Sequence, residues 1–230
     1  MLTRGGFANG QGERSLKDED MKLIITILTM AALTMSAFSA TNVVGHALPD
    51  GNLYTGEIAS NLPQGLGRIS NTNEITFIGI FNPQPTFGIM NWPKGDFYLG
   101  EVANDQMEGM GCFVSQGGLI YSGPFKAGKS DGFGTGIHTN FYYVGEWKNG
   151  KMEGKGAIQW KDGRRYVGEF KNMKCHGKGT IWFPDGCVFT GQFVDDDIDG
   201  EGTKYSPDGT ILTGKWKKDQ FLGQSSEPAR

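Results

Sequence analysis

The sequence predicts an all-β protein: an elongated, single-layer, twisted antiparallel sheet of consecutive β-hairpins, preceded by one hydrophobic helix. Three observations lead there. Glycine supplies 37 of 230 residues while aromatics reach 12%, a pairing too glycine-rich for an average domain (~7% glycine) and too aromatic for a disordered chain. One motif then recurs about every 23 residues from Tyr54 onward. Each copy alternates with the period of two that marks a strand, and it breaks at dipeptides suited to tight turns. Glycine does not fall at every third position, so a collagen helix is excluded. A net charge of −3 lacks the basic excess usual in nucleic-acid binders.

The elements run in order from the N-terminus. Residues 1–20 are polar and end in Lys17-Asp18-Glu19-Asp20, which suits neither a leader nor a core element. Residues 21–40 begin Met21-Lys22 and continue without charge from Leu23 to Ala40, closing on the small residues Ala37, Ser39 and Ala40. A short basic start, an apolar core and a small-x-small end form the pattern of a secretory signal peptide. On this reading translation starts at Met21 and residues 1–20 are an extension. The alternatives are an uncleaved membrane anchor, since the apolar run just reaches spanning length, and a buried core helix. The first two both export the rest of the chain. Residues 41–50 read as a linker, 51–225 as the repeat array and 226–230 as a tail.

The copy Tyr143-Val144-Gly145-Glu146-Trp147-Lys148-Asn149-Gly150-Lys151-Met152-Glu153-Gly154-Lys155-Gly156 displays the motif best. An aromatic residue is followed by glycine at +2, a large apolar residue at +4, and glycines at +11 and +13. The leading residues are Tyr54, Phe77, Tyr98, Tyr121, Tyr143, Tyr166, Phe189 and Leu212. Every copy has the +2 and +11 glycines, whereas Met90 and Ser225 interrupt the +13 position. Tyr143, Gly145 and Trp147 share one strand face, Asn149-Gly150 turns the chain, and Gly154, Gly156, Ile158 and Trp160 share a face on the return. Asp162-Gly163, like Asp50-Gly51, Asp185-Gly186 and Asp208-Gly209, leads into the next copy. The paired glycines leave room for rings of the same or the adjacent hairpin. A lone hairpin is marginal, so stacking eight is what buries a continuous stripe.

The pattern Tyr-x-Gly-x-Trp-x-x-Gly-x-x-x-Gly-x-Gly closely resembles the MORN repeat (membrane occupation and recognition nexus), in eight copies over roughly residues 51–225. The resemblance implies a twisted sheet of hairpins acting as a scaffold or binding surface. Such arrays occur in junctophilins, in ciliary spoke proteins, and beside the catalytic domains of plant phosphatidylinositol phosphate kinases. Pro83 and Pro85 in the second copy and Leu212 in the last depart from the pattern, and irregularity near the ends suits a capping role.

Motifs for chemistry are weak. Gly128-Lys129-Ser130-Asp131-Gly132 has the spacing of a hydrolase nucleophile elbow, but that elbow needs a strand-to-helix turn and a converging histidine. Ser130 falls in a hairpin, and His46, His138 and His176 are scattered. Asp195-Asp196-Asp197-Ile198-Asp199-Gly200 starts like a calcium loop but has Ser206 where the bidentate glutamate belongs, so a solvated acidic turn is the plainer reading. No catalytic residue, metal site or cofactor is expected, and the chain reads as a non-enzyme. Cys112, Cys175 and Cys187 lie in separate parts of the array and are expected to stay unpaired.

Charge is uneven along the chain. Residues 143–180 carry Lys148, Lys151, Lys155, Lys161, Arg164, Arg165, Lys171, Lys174 and Lys178 against four carboxylates, a local net charge of +5. These nine are candidate contacts for anionic lipid headgroups or an acidic partner, against the plainer reading of a solvated face. The functional expectation is an exported, secreted or envelope scaffold that binds a protein partner, with no nucleic acid and no small-molecule substrate. The alternatives are peripheral binding to an anionic membrane and service as an accessory module to a separate enzyme.

Overall fold

A computed structural model describes residues 41–71 and 74–224. The hydrophobic helix expected over 21–40, the extension 1–20 and the tail 226–230 lie outside the described residues. Eighteen strands follow in chain order: β1 (Thr41–Ala47), β2 (Leu53–Ala59), β3 (Leu62–Ser70), β4 (Thr76–Phe81), β5 (Pro85–Asn91), β6 (Phe97–Ala103), β7 (Gln106–Val114), β8 (Ile120–Lys126), β9 (Lys129–Ser130), β10 (Gly132–His138), β11 (Phe141–Lys148), β12 (Lys151–Trp160), β13 (Arg165–Lys171), β14 (Lys174–Trp182), β15 (Val188–Val194), β16 (Asp197–Tyr205), β17 (Ile211–Lys217) and β18 (Gln220–Gly223). Neighbours in sequence are neighbours in one open antiparallel sheet. β9 and β10 are two pieces of a single return strand beside β8, parted at Asp131. The repeats therefore make eight hairpins, from β2–β3 to β17–β18.

Residues 41–47 were expected as linker and instead form β1, an edge strand paired to β2 from Thr41↔Ile58 to Ala47↔Leu53. The reason is local. β2 offers an open row of backbone groups, and Thr41, Val43 and Val44 are β-branched residues that suit a strand.

The core is one side chain thick. Each leading ring lies flat over the glycine pair of its own hairpin, as Tyr143 does over Gly145↔Gly156. A Cβ at Gly156 would sit 2.5–2.7 Å from the Tyr143 ring. Tyr54, Tyr98, Tyr143, Tyr166 and Phe189 are fully buried in this way. The +4 rings Phe81, Phe125, Trp147, Phe170 and Phe193 each meet two leading rings edge-on. The chain Tyr98–Phe125–Tyr121–Trp147–Tyr143–Phe170–Tyr166–Phe193–Phe189–Trp216 runs at centroid separations of 4.9–5.5 Å. Such edge-to-face pairs contribute about 0.5–1.5 kcal/mol each beyond their buried area.

The +11 glycines work differently from the expectation that they accommodate rings. Gly145 faces Gly156 and Trp147 faces Met152, so four residues of β12 run against two of β11. The excess forms a bulge centred on Gly154, whose φ of +66° suits glycine. Glu146 covers that glycine with Oε2 2.6 Å from where a Cβ would stand, and its Oε1 accepts the Lys155 amide at 2.9 Å. Glu101 and Glu169 accept the Met110 and Lys178 amides in the same way. The leading tyrosine hydroxyl donates to a carbonyl the bulge leaves free: Tyr143 to Glu146 O at 2.9 Å, Tyr98 to Glu101 O at 2.7 Å and Tyr166 to Glu169 O at 2.9 Å.

The second hairpin lacks this glycine-centred bulge and has only one extra residue, Thr86, between the pairs Ile80↔Phe87 and Phe81↔Pro85. Gly79 pairs with Gly88, nine residues on, whereas Gly56 pairs with Gly67, eleven on. Gly88 therefore does the work of a +13 glycine, and Met90 is no substitution for one: the copy is two residues shorter. Its leading residue is Phe77, which carries no hydroxyl.

Apart from the β4–β5 tip, the hairpin tips are two-residue turns with positive φ, among them Asn149-Gly150 (49°, 82°), Asn172-Met173 (50°, 72°) and Asp195-Asp196 (52°, 80°). Each of these three ties to the hairpin before it. The Asp196 amide donates to Cys175 O, and Asp196 Oδ1 accepts the Cys175 amide at 2.8 Å. Asp219 does the same for Ile198. Met173 occupies the equivalent position with only a thioether, 3.1 Å from the Met152 amide.

Three outcomes follow. Gly156→Val forces a side chain into the Tyr143 ring and destabilises by at least the ~1–3 kcal/mol of overpacking, measured by urea unfolding. At Gly223 nothing lies within 4 Å of a Cβ, so Gly223→Val carries only backbone strain and costs less. Met173→Asp supplies the acceptor its neighbours have and raises stability by about 0.5–1.5 kcal/mol, seen as a higher urea midpoint. Burial pushes the Tyr54 and Tyr121 phenols from 10.0 up to about 12, and Tyr98, Tyr143 and Tyr166 also shift upward through burial. Unfolded tyrosines ionise from about pH 10, so this stability is whole below pH 10 and drains away toward pH 12. Base titration followed by near-UV absorbance should show tyrosine ionisation coinciding with loss of sheet signal.

Candidate interaction surfaces

With the rings gathered on one face, the sheet offers three other surfaces: the edge formed by hairpin tips, the opposite edge formed by connecting turns, and the outer face. The nine basic residues expected as a site divide among them. Lys148 and Lys151, then Lys171 and Lys174, stand directly opposite one another at successive tips. Lys161 and Arg164 lie at the far edge, where Arg164 pairs with Asp162 at 2.8 Å and stacks 5.0 Å over Trp160. Lys155, Arg165 and Lys178 lie on the outer face. They are three groups, not one patch.

The tip group is longer than the sequence window suggested. Lys126 and Lys129 face each other at the preceding tip. Three consecutive hairpins thus carry a cross-strand lysine pair, repeated at roughly 10 Å, two strand spacings. Like charges directly opposite are unfavourable in a sheet. Lys148 is relieved by Asp131, whose Oδ2 lies 3.1 Å away, and the hydrogen bond from Lys148 holds the Asp131 carboxyl below its ordinary range. Lys151 Nζ donates to Asn172 Oδ1 at 3.0 Å. A linear charge count missed this row because Lys126 and Lys129 are diluted by the acidic residues before them. The signal was present as two lysines flanking each turn.

The outer face carries two ladders across the hairpins. The central ladder is small or β-branched, with Thr180–Thr190 and Thr203–Thr213 hydroxyl contacts of 3.0 Å. The second is apolar and solvent-facing. Phe97, Val114, Ile120, Ile137 and Tyr142 pair in succession, and Trp182, Val188, Tyr205 and Ile211 form a second run. Tyr142 is 48% exposed, Trp182 40% and Ile211 60%. Gln159 and Arg165 separate the two runs.

The other sequence candidates disperse. Ser130 is buried in β9 opposite Phe125, inside a hairpin rather than at a strand-to-helix elbow. The aspartates of 195–199 diverge: Asp195 approaches His176, Asp196 holds the Cys175 amide and Asp199 pairs with Lys217. No group of three or more His, Cys, Asp or Glu side chains among the described residues is placed to hold a metal. Cys112, Cys175 and Cys187 are free thiols. Burial, with the Asp196 carboxylate beside it, pushes Cys175 up to about 12, so it stays a protonated packing residue.

These features define a tandem β-hairpin repeat protein. The MORN repeat model matches residues 98–120, 143–165, 166–188 and 189–211, and the chain carries MORN repeats in these four copies. No curated protein matches the sequence. Among solved structures, the SAS-4 (dCPAP) TCP domain of Drosophila melanogaster, in complex with a proline-rich motif of Ana2 (dSTIL), is similar at 11% identity. That alignment covers 79% of this chain and 94% of that one, with a TM-score of 0.42. The TCP10 domain of Danio rerio CPAP, in complex with a peptide of Danio rerio STIL, is similar at 15% identity, over 80% of this chain and 96% of that one, with a TM-score of 0.42.

Proposed function

We propose that this chain is an exported, non-enzymatic MORN-repeat scaffold that binds a protein partner on the outer face of its sheet. One observation carries the reading: the exposed ladder of Ile120, Ile137, Tyr142, Trp182, Tyr205 and Ile211. A sheet face turned to water normally alternates to polar residues, and contiguous exposed apolar area marks interaction sites. Arg165 between the two runs, with Lys155 and Lys178 on the same face, favours a partner that is apolar with acidic groups. The remaining four hairpins are degenerate copies of the same repeat, supported by the glycine pairing Gly56↔Gly67 and Gly79↔Gly88 outside the matched stretches. Export rests on the Met21–Ala40 pattern, with cleavage near Ala40 or retention as an anchor.

The second reading is peripheral attachment to an anionic membrane. The row of lysine pairs at three successive tips favours it, because its charge faces away from the body of the sheet. Service beside a separate enzyme is a special case of the first reading.

Affinity capture from the native host, followed by mass spectrometry, tests the main reading. A stoichiometric partner is expected, and Tyr142→Ser with Trp182→Ser should release it while the melting temperature moves little. Flotation with vesicles containing phosphatidylglycerol tests the second. Binding that disappears with Lys126, Lys148 and Lys171 changed to Gln, with the outer face intact, would transfer the function to the tip edge.

A further inference from the structure

The ring chain breaks once. Phe81 contacts Tyr54 and Phe77, and the chain resumes at Tyr98. Between them, the +4 position of the β6–β7 hairpin is Val102, where six other hairpins carry Phe81, Phe125, Trp147, Phe170, Phe193 and Trp216 and the first carries Ile58. A valine leaves unfilled the volume an aromatic ring would occupy against Phe77. The neighbouring β4–β5 hairpin is two residues short and closes on Pro83-Gln84-Pro85. These two departures together open a groove of about 430 Å³ on the ring face, within the ~300–1,000 Å³ usual for binding sites.

The groove crosses the sheet from edge to edge. Leu48, Asp50 and Asn71 line it at the turn edge, Phe77, Met90 and Val102 along the floor, and Leu62, Pro83, Pro85 and Asp105 at the tip edge. Its charged lining residues are Asp50 and Asp105, one toward each end. The field around it has the same sign, since residues 41–115 hold seven carboxylates against Arg68 and Lys94. Arg68 lies on the outer face, paired with Thr55 and Ile78.

We infer that this groove seats an extended segment of a protein partner in which a large apolar or aromatic side chain is flanked by lysine or arginine. The apolar side chain fills the volume beside Val102, and the flanking cations meet Asp50 and Asp105. A passage reaching both edges fits a through-going chain, whereas an enclosed cavity would fit a small ligand. This site lies on the opposite face from the apolar ladder, and its ligand has the opposite charge, so it does not depend on the outer-face reading.

The test pans random peptides displayed on phage against the purified full chain, then measures a fluorescein-labelled selected peptide by anisotropy. Recovered peptides should pair Phe, Trp, Leu or Ile with a nearby Lys or Arg. Val102→Phe should weaken binding at least tenfold while raising the melting temperature, because it completes the ring chain. Asp50→Asn with Asp105→Asn, both at exposed positions, should weaken binding severalfold and remove its salt dependence, which keeps the test decisive if Val102→Phe fails to fold. Acidic recovered peptides, or binding unchanged in both variants, would overturn the inference. Displacement of the peptide by a synthetic Leu23–Ala40 segment, or by dodecylamine at equal concentration, would also overturn it, by assigning the groove to the chain's own leader or to an amphiphile. A captured partner that ignores Val102→Phe leaves the outer-face scaffold standing without the groove.

Discussion

Everything in this sheet depends on a ring lying flat over two glycines. Domains normally bury apolar surface between two packed layers, but here one layer suffices because the core occupies the space where Cβ atoms would be. The Tyr143 ring rests on Gly145 and Gly156 at distances no side chain could tolerate. The rings of adjacent hairpins then meet edge-on, so from Tyr98 to Trp216 the apolar stripe is continuous with no second layer over it among the described residues. Stability is therefore shared between neighbours, as in other linear repeats. The outer face is left with no structural duty, which is what allows Tyr142, Trp182 and Ile211 to face water.

The same constraint explains the repeat length. A hairpin that places glycine opposite glycine could close in nine residues, as Gly79↔Gly88 shows. The longer copies insert a bulge, and three residues adapt to it together. In five of them glycine takes a positive φ at +11 while glutamate or glutamine stands at +3, as where Glu146 and Gln192 cap the exposed amide, and a leading tyrosine hydroxyl satisfies a freed carbonyl; Pro124 takes the +3 place in the Tyr121 copy. Phe77 leads the short copy, where the Thr86 hydroxyl takes the place of a leading hydroxyl and donates to the +3 carbonyl of Ile80. Phe189 leads a bulged copy without a hydroxyl, which makes the β15–β16 hairpin the less well satisfied member of the regular series.

Most of this architecture was legible because it follows period two. The hairpins, the turns at Asn149-Gly150 and Asp162-Gly163, and the ring-facing glycines at +2 and +13 are properties of spacing, and spacing survives in one dimension. What was hidden involved register. The bulge moves two residues out of the alternation without any residue type that announces it, so Gly154 and Gly156 looked alike while one answers to backbone conformation and the other to a ring. The second copy's spacing of 21 did record its missing glycine-centred bulge, but Met90 beside Pro83 and Pro85 read more simply as a substitution. β1 carries no repeat motif and exists because β2 had an open edge. The basic candidates scattered because successive lysines in a hairpin alternate between tip, face and far edge, and the tip row emerged only once Lys126 was seen opposite Lys129.

The irregular N-terminal hairpins separate two explanations for departure from a repeat. A terminal repeat that merely caps an array needs a polar outer boundary, because its duty is to end a core in water. The β17–β18 end comes nearer that description, with Gln220 opening and Gln224 following a shortened strand, beside an exposed Leu222. The opposite end does not. β1 already covers the edge there, and the departures lie one and two hairpins inward, at Pro83, Pro85 and Val102. They are apolar, and they remove ring volume instead of adding polarity. Residues that break a local rule without a structural gain tend to mark function. Six of the eight +4 positions hold phenylalanine or tryptophan and Ile58 fills that of the first hairpin, so Val102 is the one aliphatic residue set between two leading rings, Phe77 and Tyr98.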